Sequence, residues 1–351
     1  MFDFPNAPIV GSTVTAPNGT VFRWDGVKWI GAGSTQVVAS PYGNVGRNLI
    51  HNSLFNITQR GAGPFSVNGV YSADRWVLNC DTDTANVIIY AAVDGDRAQI
   101  GDEAAKNILG NTFTGNAAAS AFSAIFQRME DVRRFAGKTV TVSFWAKQNA
   151  GPATKIGASI DQFFGTGGSP SAYVPGVGQS VTISGAWQHY SLQFAVPSVA
   201  GKTFGTTAGT DWSQVGFWFS SGSANATRAG SIGVQSGNIA LWGVQLEVGN
   251  VATPLEKPDP QVDLANCQRF YQIGNLAVWG YVAPGVAIGH QLPFTVTMRA
   301  GPTITLAGIV YNNTGTASCT PTGGAGLTFT AAGTATGGGS VTATFTASAD
   351  L

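Results

Sequence analysis

GKTVTVSFWAKQ, residues Gly137–Gln148, is the stretch that decides the fold class. Val140, Val142, Phe144 and Ala146 fall on one face, and Thr141, Ser143, Trp145 and Lys147 on the other. A period of two marks a strand with one apolar side. WQHYSLQFAVP (Trp187–Pro197) repeats the pattern. Tyr190, Leu192, Phe194 and Val196 point one way, and Trp187, His189, Ser191 and Gln193 the other. VGFWFSSG sets Val215, Phe217 and Phe219 against Trp218, and GNIALWGVQLEVG closes the series. Such strands, joined by glycine-rich turns with no alternating helices, predict a β-sandwich or jelly roll over residues 47–250. One stretch, AASAFSAIFQRMEDVRRFAG (Ala118–Gly137), reads as a candidate helix, though its second half fits a strand and turn equally.

The composition agrees with sheets and tight turns. Glycine is 47 of 351 residues, about twice the usual share, and charged residues are only 10%. With 44% hydrophobic residues the chain can bury cores, and its length suits two or three domains. The formal net charge is +0. That predicts no nucleic-acid partner, and with no long apolar run it predicts no membrane insertion. The start, MFDFPNAPIVGS, lacks the basic and apolar regions of a secretory signal. Cys80, Cys267 and Cys319 are odd in number and far apart, so free buried thiols are expected rather than disulfides or a zinc site.

Residues 1–34 read as a small β-meander. Asn18-Gly19 and Asp25-Gly26 mark two hairpins, and Phe22, Trp24 and Trp29 supply apolar surface. A unit this small is marginal alone, so those aromatics are candidate anchoring residues against a partner. A linker follows over 35–46. At the far end of the sandwich, Pro254, Pro258 and Pro260 mark a linker over 251–263. VDLANCQRFYQ then reads as a short helix with Asp263 as N-cap. Its apolar stripe is Leu264, Cys267 and Tyr271, expected on the sheet of the last domain or around a three-fold axis. Residues 264–351 form a second β domain: between Arg299 and Asp350 there is no charge, and Leu327, Phe329, Val341 and Phe345 lie in alternating Thr/Ala/Gly runs. Open uncharged edges of this kind call for an oligomer. The fold class is therefore all-β: N-terminal meander, central sandwich, short linker helix and C-terminal β-sandwich tip.

Chemistry-bearing motifs are sparse. AGKT occurs at Ala136–Thr139 and Ala200–Thr203, but the glycine that a phosphate loop needs is replaced by Val132 and Val196. His51, His189 and His290 sit in no metal-ligand or nucleophile spacing, so no catalytic residue, metal or cofactor is assigned. A structural calcium stays open. Asp25, Asp81, Asp83 and Asp94 lie in turn contexts, although a pair of glycosidase carboxylates is set by the fold rather than by spacing. Trp145, Trp187 and Trp218, with Gln193, lie opposite the aliphatic positions of their strands. They are candidate carbohydrate-binding residues, aromatic faces for sugar C–H groups and an amide for hydroxyls. The competing reading covers both faces of those strands with extra loops or a subunit contact.

Several motifs resemble tailed-bacteriophage tail proteins. NLIHNSLFNITQRG (Asn48–Gly61) followed by YSADRWVL (Tyr71–Leu78) is similar to a tail-fibre opening. FQRMEDVRRFAGKTVTVSFWAK (Phe126–Lys147) is similar to a carbohydrate-binding-like jelly roll, and IALWGVQLEVGNVATPLEKPDPQVDLANCQRFYQ (Ile239–Gln272) to its end. FTVTMRAGPTITL (Phe294–Leu306) resembles the start of a tip domain, and APNGTVFRWDGVKWI (Ala16–Ile30) resembles small virion modules. The resemblance implies a galactose-binding-like sandwich in a short, non-enzymatic virion fibre or spike. It would be a homotrimer, joined to another virion protein by its N-terminus and contacting host-surface polysaccharide. The alternatives are a structural head, collar or baseplate protein without ligand, and a capsular polysaccharide depolymerase.

Overall fold

The computed structural model describes residues 4–6, 9–16, 21–24, 26–31 and 46–351. The chain divides into two compact units, Met1–Gly46 and Arg47–Leu351. Asn18, Gly19 and Asp25 of the expected hairpins, and the linker 35–46 apart from Gly46, lie outside the described residues.

In the first unit β1 (Thr13–Thr15), β2 (Val21–Trp24) and β3 (Trp29–Gly31) form an antiparallel meander. Phe22 and Trp24 are two apart on β2 and share a face, while the register sets Trp24 opposite Trp29. Phe4 lies edge-on to Phe22 at 4.9 Å and stacks on Trp29 at 5.6 Å. Phe22, Trp24 and Trp29 thus stay half-buried, much of their surface spent on each other and on Phe4.

The second unit begins with β4 (Val77–Asp81), β5 (Thr84–Ala91), helix α1 (Asp94–Ile100) and β6 (Asn107–Thr114). It continues with β7 (Phe122–Glu130), β8 (Thr139–Ala150), β9 (Lys155–Phe163), β10 (Gln179–Thr182), β11 (Gln188–Ala195), β12 (Trp212–Ser221) and β13 (Ser236–Val248). These strands form two antiparallel sheets, ordered β10-β9-β12-β7-β4 and β11-β8-β13-β6-β5. The alternation of β8 is realised: Val140, Val142, Phe144 and Ala146 are all buried between the sheets. From the facing sheet come Val215, Phe217 and Phe219, with the Phe144 and Phe217 rings 5.0 Å apart and Trp76 behind them. The candidate helix Ala118–Gly137 is not one. Phe122–Glu130 is strand β7, because β12 pairs along its length and β4 with Phe122–Phe126, and Ile125 and Met129 then enter the core. Both AGKT copies are turns, with Gly137 and Gly201 at φ +70° and +73°.

The chain then runs through helix α2 (Pro260–Gln268) into β14 (Tyr271–Val282), β15 (Ala287–Pro293), β16 (Thr303–Asn312), β17 (Thr314–Pro321), β18 (Gly326–Gly333) and β19 (Gly337–Ser348). Two three-stranded sheets, β14-β19-β16 and β15-β18-β17, close over Leu276, Val278, Leu327, Phe329 and Val341. Asn313 turns the chain between β16 and β17 in the left-handed region, at φ 53°. The proline segment before α2 is stitched to the sandwich: Thr253 bonds Glu247, and Glu256 accepts from Arg47 and Asn48 N–H at 2.8 and 2.7 Å.

Helix α2 starts four residues before the expected point. Asp259 is its N-cap, accepting from Gln261 and Val262 N–H, and Pro260 takes the first turn, where its missing N–H costs nothing. Asp263 is instead buried and accepts from Asn52 N–H at 2.8 Å. The helix's inward pair is therefore Asp263 and Cys267, both buried, while Leu264 is half-buried. Tyr271 belongs to β14 and lies under the Arg60 guanidinium, 3.5 Å from its ring centre. Helix α2 faces the Asn52 loop of this same chain, so the predicted stripe is largely consumed internally.

The two sandwiches of this unit meet in a charged joint. Arg60 reaches Asp74 at 3.2 Å and Asp350 at 2.5 Å, while Arg269 and Arg299 both hold Glu130, at 2.5 and 3.1 Å. Burial alone would raise the Glu130 pKa, but the two arginines outweigh it and hold the carboxyl below its ordinary value near 4.5. A depressed carboxylate stabilises the fold above its unfolded pKa, and that stability is lost as pH falls through the folded value. The urea midpoint should therefore drop more steeply from about pH 5 to about pH 3 in the native chain than in Glu130→Gln. Parallel curves would remove Glu130 from the joint's energetics.

Candidate functional site

The three expected tryptophans do lie opposite the core, as parity requires, but they do not make a face. Trp145 and Trp187 belong with the β11-β8-β13-β6-β5 sheet and Trp218 with the other, so their outward sides point away from each other. Trp218 is fully buried beneath Ala229 and Ile232, and its Nε1 donates to Ser159 Oγ at 3.0 Å. Gly157 makes that cover possible, since a Cβ there would stand 2.1 Å from the Ala229 carbonyl oxygen. Trp187 precedes β11, is 4% exposed, and donates to Asp96 Oδ1 at 2.8 Å. Lys147 Nζ reaches the same oxygen at 2.6 Å, so Asp96 clamps α1 onto the sheet. Trp145 is half-buried among Leu255, Ala240 and Trp242, 5.4 Å from the His189 ring. Gln193 is exposed, but its Nε2 is spent on the Asn250 carbonyl at 2.6 Å. The covers come from α1 and from the 222–235 loop, whose sequences carry no periodicity that marks them as lids.

The open aromatic surface is elsewhere, on the uncovered half of the sheet that carries Trp218. Trp212 of β12 pairs in register with Phe163 of β9, the rings 5.0 Å apart, and Tyr173 stands 6.1 Å from Trp212. With Phe122, Phe126, Arg128, Gln214, Asn79 and Arg228 they enclose a depression of about 320 Å³. Gly216, next to Gln214 on the same side of β12, leaves room for the Phe126 ring, which a Cβ there would meet at 2.4 Å.

Beneath these residues lies one wholly buried carboxylate, Asp161. Arg228 donates to both of its oxygens, with Nη2 at 2.6 Å, and Gln214 Nε2 and Gly176 N–H add bonds at 3.1 and 2.8 Å. Gln214 passes the order on, its Oε1 accepting from Arg128 Nε at 3.2 Å, and the Arg128 guanidinium lies 4.7 Å from the Trp212 ring centre. Burial, then the Asp161 charge, push the Tyr173 hydroxyl pKa upward, so at neutral pH it remains a donor. The Asn79 side-chain oxygen is buried without a partner. The depression therefore offers stacked aromatic faces beside fixed donors, which suits a ring with an apolar face and hydroxyl edges.

Sequence reasoning missed this set, although one signal was present: Trp212 and Gln214 share the parity of Trp218. Tyr173 and Arg228 come from loops and give no periodic signal. Among the described residues no three His, Cys, Asp or Glu side chains gather as metal ligands.

No family model and no curated protein matches the chain. Among solved structures it is similar to the enzymatically active domain of bacteriophage CBA120 tailspike protein 4, at 15% identity and TM-score 0.32 over 57% of this chain. The matched part is 21% of that domain, so the chain spans about a fifth of it. It is also similar to a family 11 carbohydrate-binding module of Clostridium thermocellum in complex with a β-1,3-1,4-mixed-linked tetrasaccharide, at 12% identity and TM-score 0.33, covering 55% of this chain and 99% of that one. A third is the CBM22-1 xylan-binding domain of Paenibacillus barcinonensis Xyn10C, at 14% identity and TM-score 0.30, covering 58% and 96%. All three are distant likenesses.

The Asp96 clamp gives a structural prediction. Trp187→Phe should destabilise the larger unit by roughly 1–3 kcal/mol in urea denaturation, because buried Asp96 loses a donor. An unchanged midpoint would show that Trp187 contributes bulk alone.

Proposed function

We propose that this chain is a non-enzymatic subunit of a bacteriophage fibre or spike that binds host-surface polysaccharide in the Trp212 depression. The observation that carries the binding part is the ordered aromatic surface of Trp212, Phe163 and Tyr173 over the Asp161–Arg228 pair. A sugar ring laid on Trp212 puts its C–H face on the indole and its hydroxyl edge toward the Arg128 guanidinium and the Tyr173 hydroxyl, which line the same depression. Asp161 is fully engaged by donors, and no carboxylate is among the residues lining the depression. Glycoside hydrolysis calls for two carboxylates at the scissile bond, so this geometry supports binding over cleavage. The order of the tail-fibre-like motifs supports the virion setting. The small N-terminal unit would join the particle through Phe22, Trp24 and Trp29.

Binding is tested with a host-glycan array and titration of the hit. Trp212→Ala should weaken binding by about tenfold or more, while Trp145→Ala leaves it unchanged. Full binding by a folded Trp212→Ala would move the site. An array without hits, with normal adsorption by particles lacking the chain, would favour the purely structural reading. Release of reducing ends from host polysaccharide would establish a depolymerase.

A homotrimer is part of this proposal, because weak sugar contacts gain strongly when several copies engage together. The outer face of β14 supports it: Trp279 and Tyr281 are 72% and 75% exposed, with Ile273 and Val310 beside the same threonine rows of β19. Light scattering should give three chains per particle, and Trp279→Lys should shift the species toward monomer. A stable monomer of the native chain at micromolar concentration would remove the oligomer.

A further inference from the structure

The joint between the two sandwiches of the larger unit holds an excess of positive charge. A cavity of about 120 Å³, room for about four waters, is lined by Arg75, Arg128, Arg134 and Arg269 against the single carboxylate of Glu130. Glu130 is already divided between Arg269 and Arg299, and Asp350 between Arg60 and Arg75. Among the described residues Arg134 makes no ion pair, and Arg128 is held by the Gln214 amide and the Leu351 main-chain oxygen rather than by an Asp or Glu side chain. In a chain with 18 basic residues and no net charge, this is a marked local imbalance.

The cavity wall also holds unmet polar atoms. Arg75 is 2% exposed, lies 3.3 Å over the Phe270 ring centre, and its Nε has no hydrogen-bond partner. The His51 Nδ1 is likewise buried and unpartnered. Burial and then the neighbouring arginines push the His51 pKa down to about 3, so the ring adds no charge of its own at neutral pH. Arg75 shares its one carboxylate, Asp350, with Arg60; a buried guanidinium so incompletely paired is costly, and an anion is the group that would relieve it.

We infer that this cavity binds a small inorganic oxyanion of the phosphate or sulfate type, bridging the two sandwiches. Guanidinium forks match the edges of such an ion, and the space is too small for a sugar ring. Arg75 and His51 come from the first sandwich, and Arg269 and Phe270 from the start of the second, so a bound anion would tie the two together. The site adjoins the Trp212 depression, sharing Arg128 with it, but its anion contacts do not depend on glycan binding.

The test titrates the full chain with sodium phosphate and reads its Tm, with ionic strength held constant by sodium chloride. A saturating rise with one phosphate per chain by calorimetry is expected. Arg134 is the informative position, because it is exposed and makes no ion pair that its loss would break. Arg134→Gln should keep the unliganded Tm and bind phosphate about tenfold more weakly. A Tm that follows ionic strength alone overturns the inference, as does an equal phosphate response in Arg134→Gln.

Discussion

Asp161 is a charge with no access to water, and much of one sheet is arranged to satisfy it. A buried carboxylate is tolerated only with full pairing. Arg228, Gln214 and Gly176 supply that pairing from a loop, a strand and a second loop. Meeting the demand pulls the 222–235 loop across the sheet, and the loop then buries Trp218 on one half. On the other half the sheet stays open, ringed by Trp212, Phe163 and Tyr173. The covered face and the open site are two results of one ion pair.

The same logic of covering governs the opposite sheet. Asp96 fastens α1 there by bonds to Lys147 and Trp187, and the proline segment closes over Trp145. Each sheet is thus apolar on both sides for part of its area. The strands are consequently richer in aromatic residues than a half-solvated sheet requires. At the end of the body the covering gives way to charge, and a set of arginines and carboxylates holds the C-terminal sandwich in place.

Much of the fold was legible in the residues. Period-two alternation in β8, β11 and β12 identified the strands and their core faces, because that period is a local property of extended backbone. Thr/Ala/Gly alternation likewise marked the last sheets. The helical reading failed at Phe122–Glu130, where apolar residues in succession fit a helix until two neighbouring strands claim the backbone, and the strand-and-turn alternative prevailed. Local reading failed again at the N-cap of α2: Asp259 and Asp263 are both suited to capping, and only the contact of Asp263 with Asn52 separates them.

The candidate site divides along the same line. Sequence alone determined that Trp145, Trp187 and Trp218 oppose the core, since the side of a strand follows from counting. Whether that side meets water is decided by segments distant along the chain, such as Ala229 over Trp218 and α1 beside Trp187. The Trp212 depression joins β4, β7, β9, β12 and two loops, and the Asp161–Arg228 contact crosses 67 residues. No local pattern encodes an encounter at that separation. It exists only when the sheet order is set and a buried charge must find its partner.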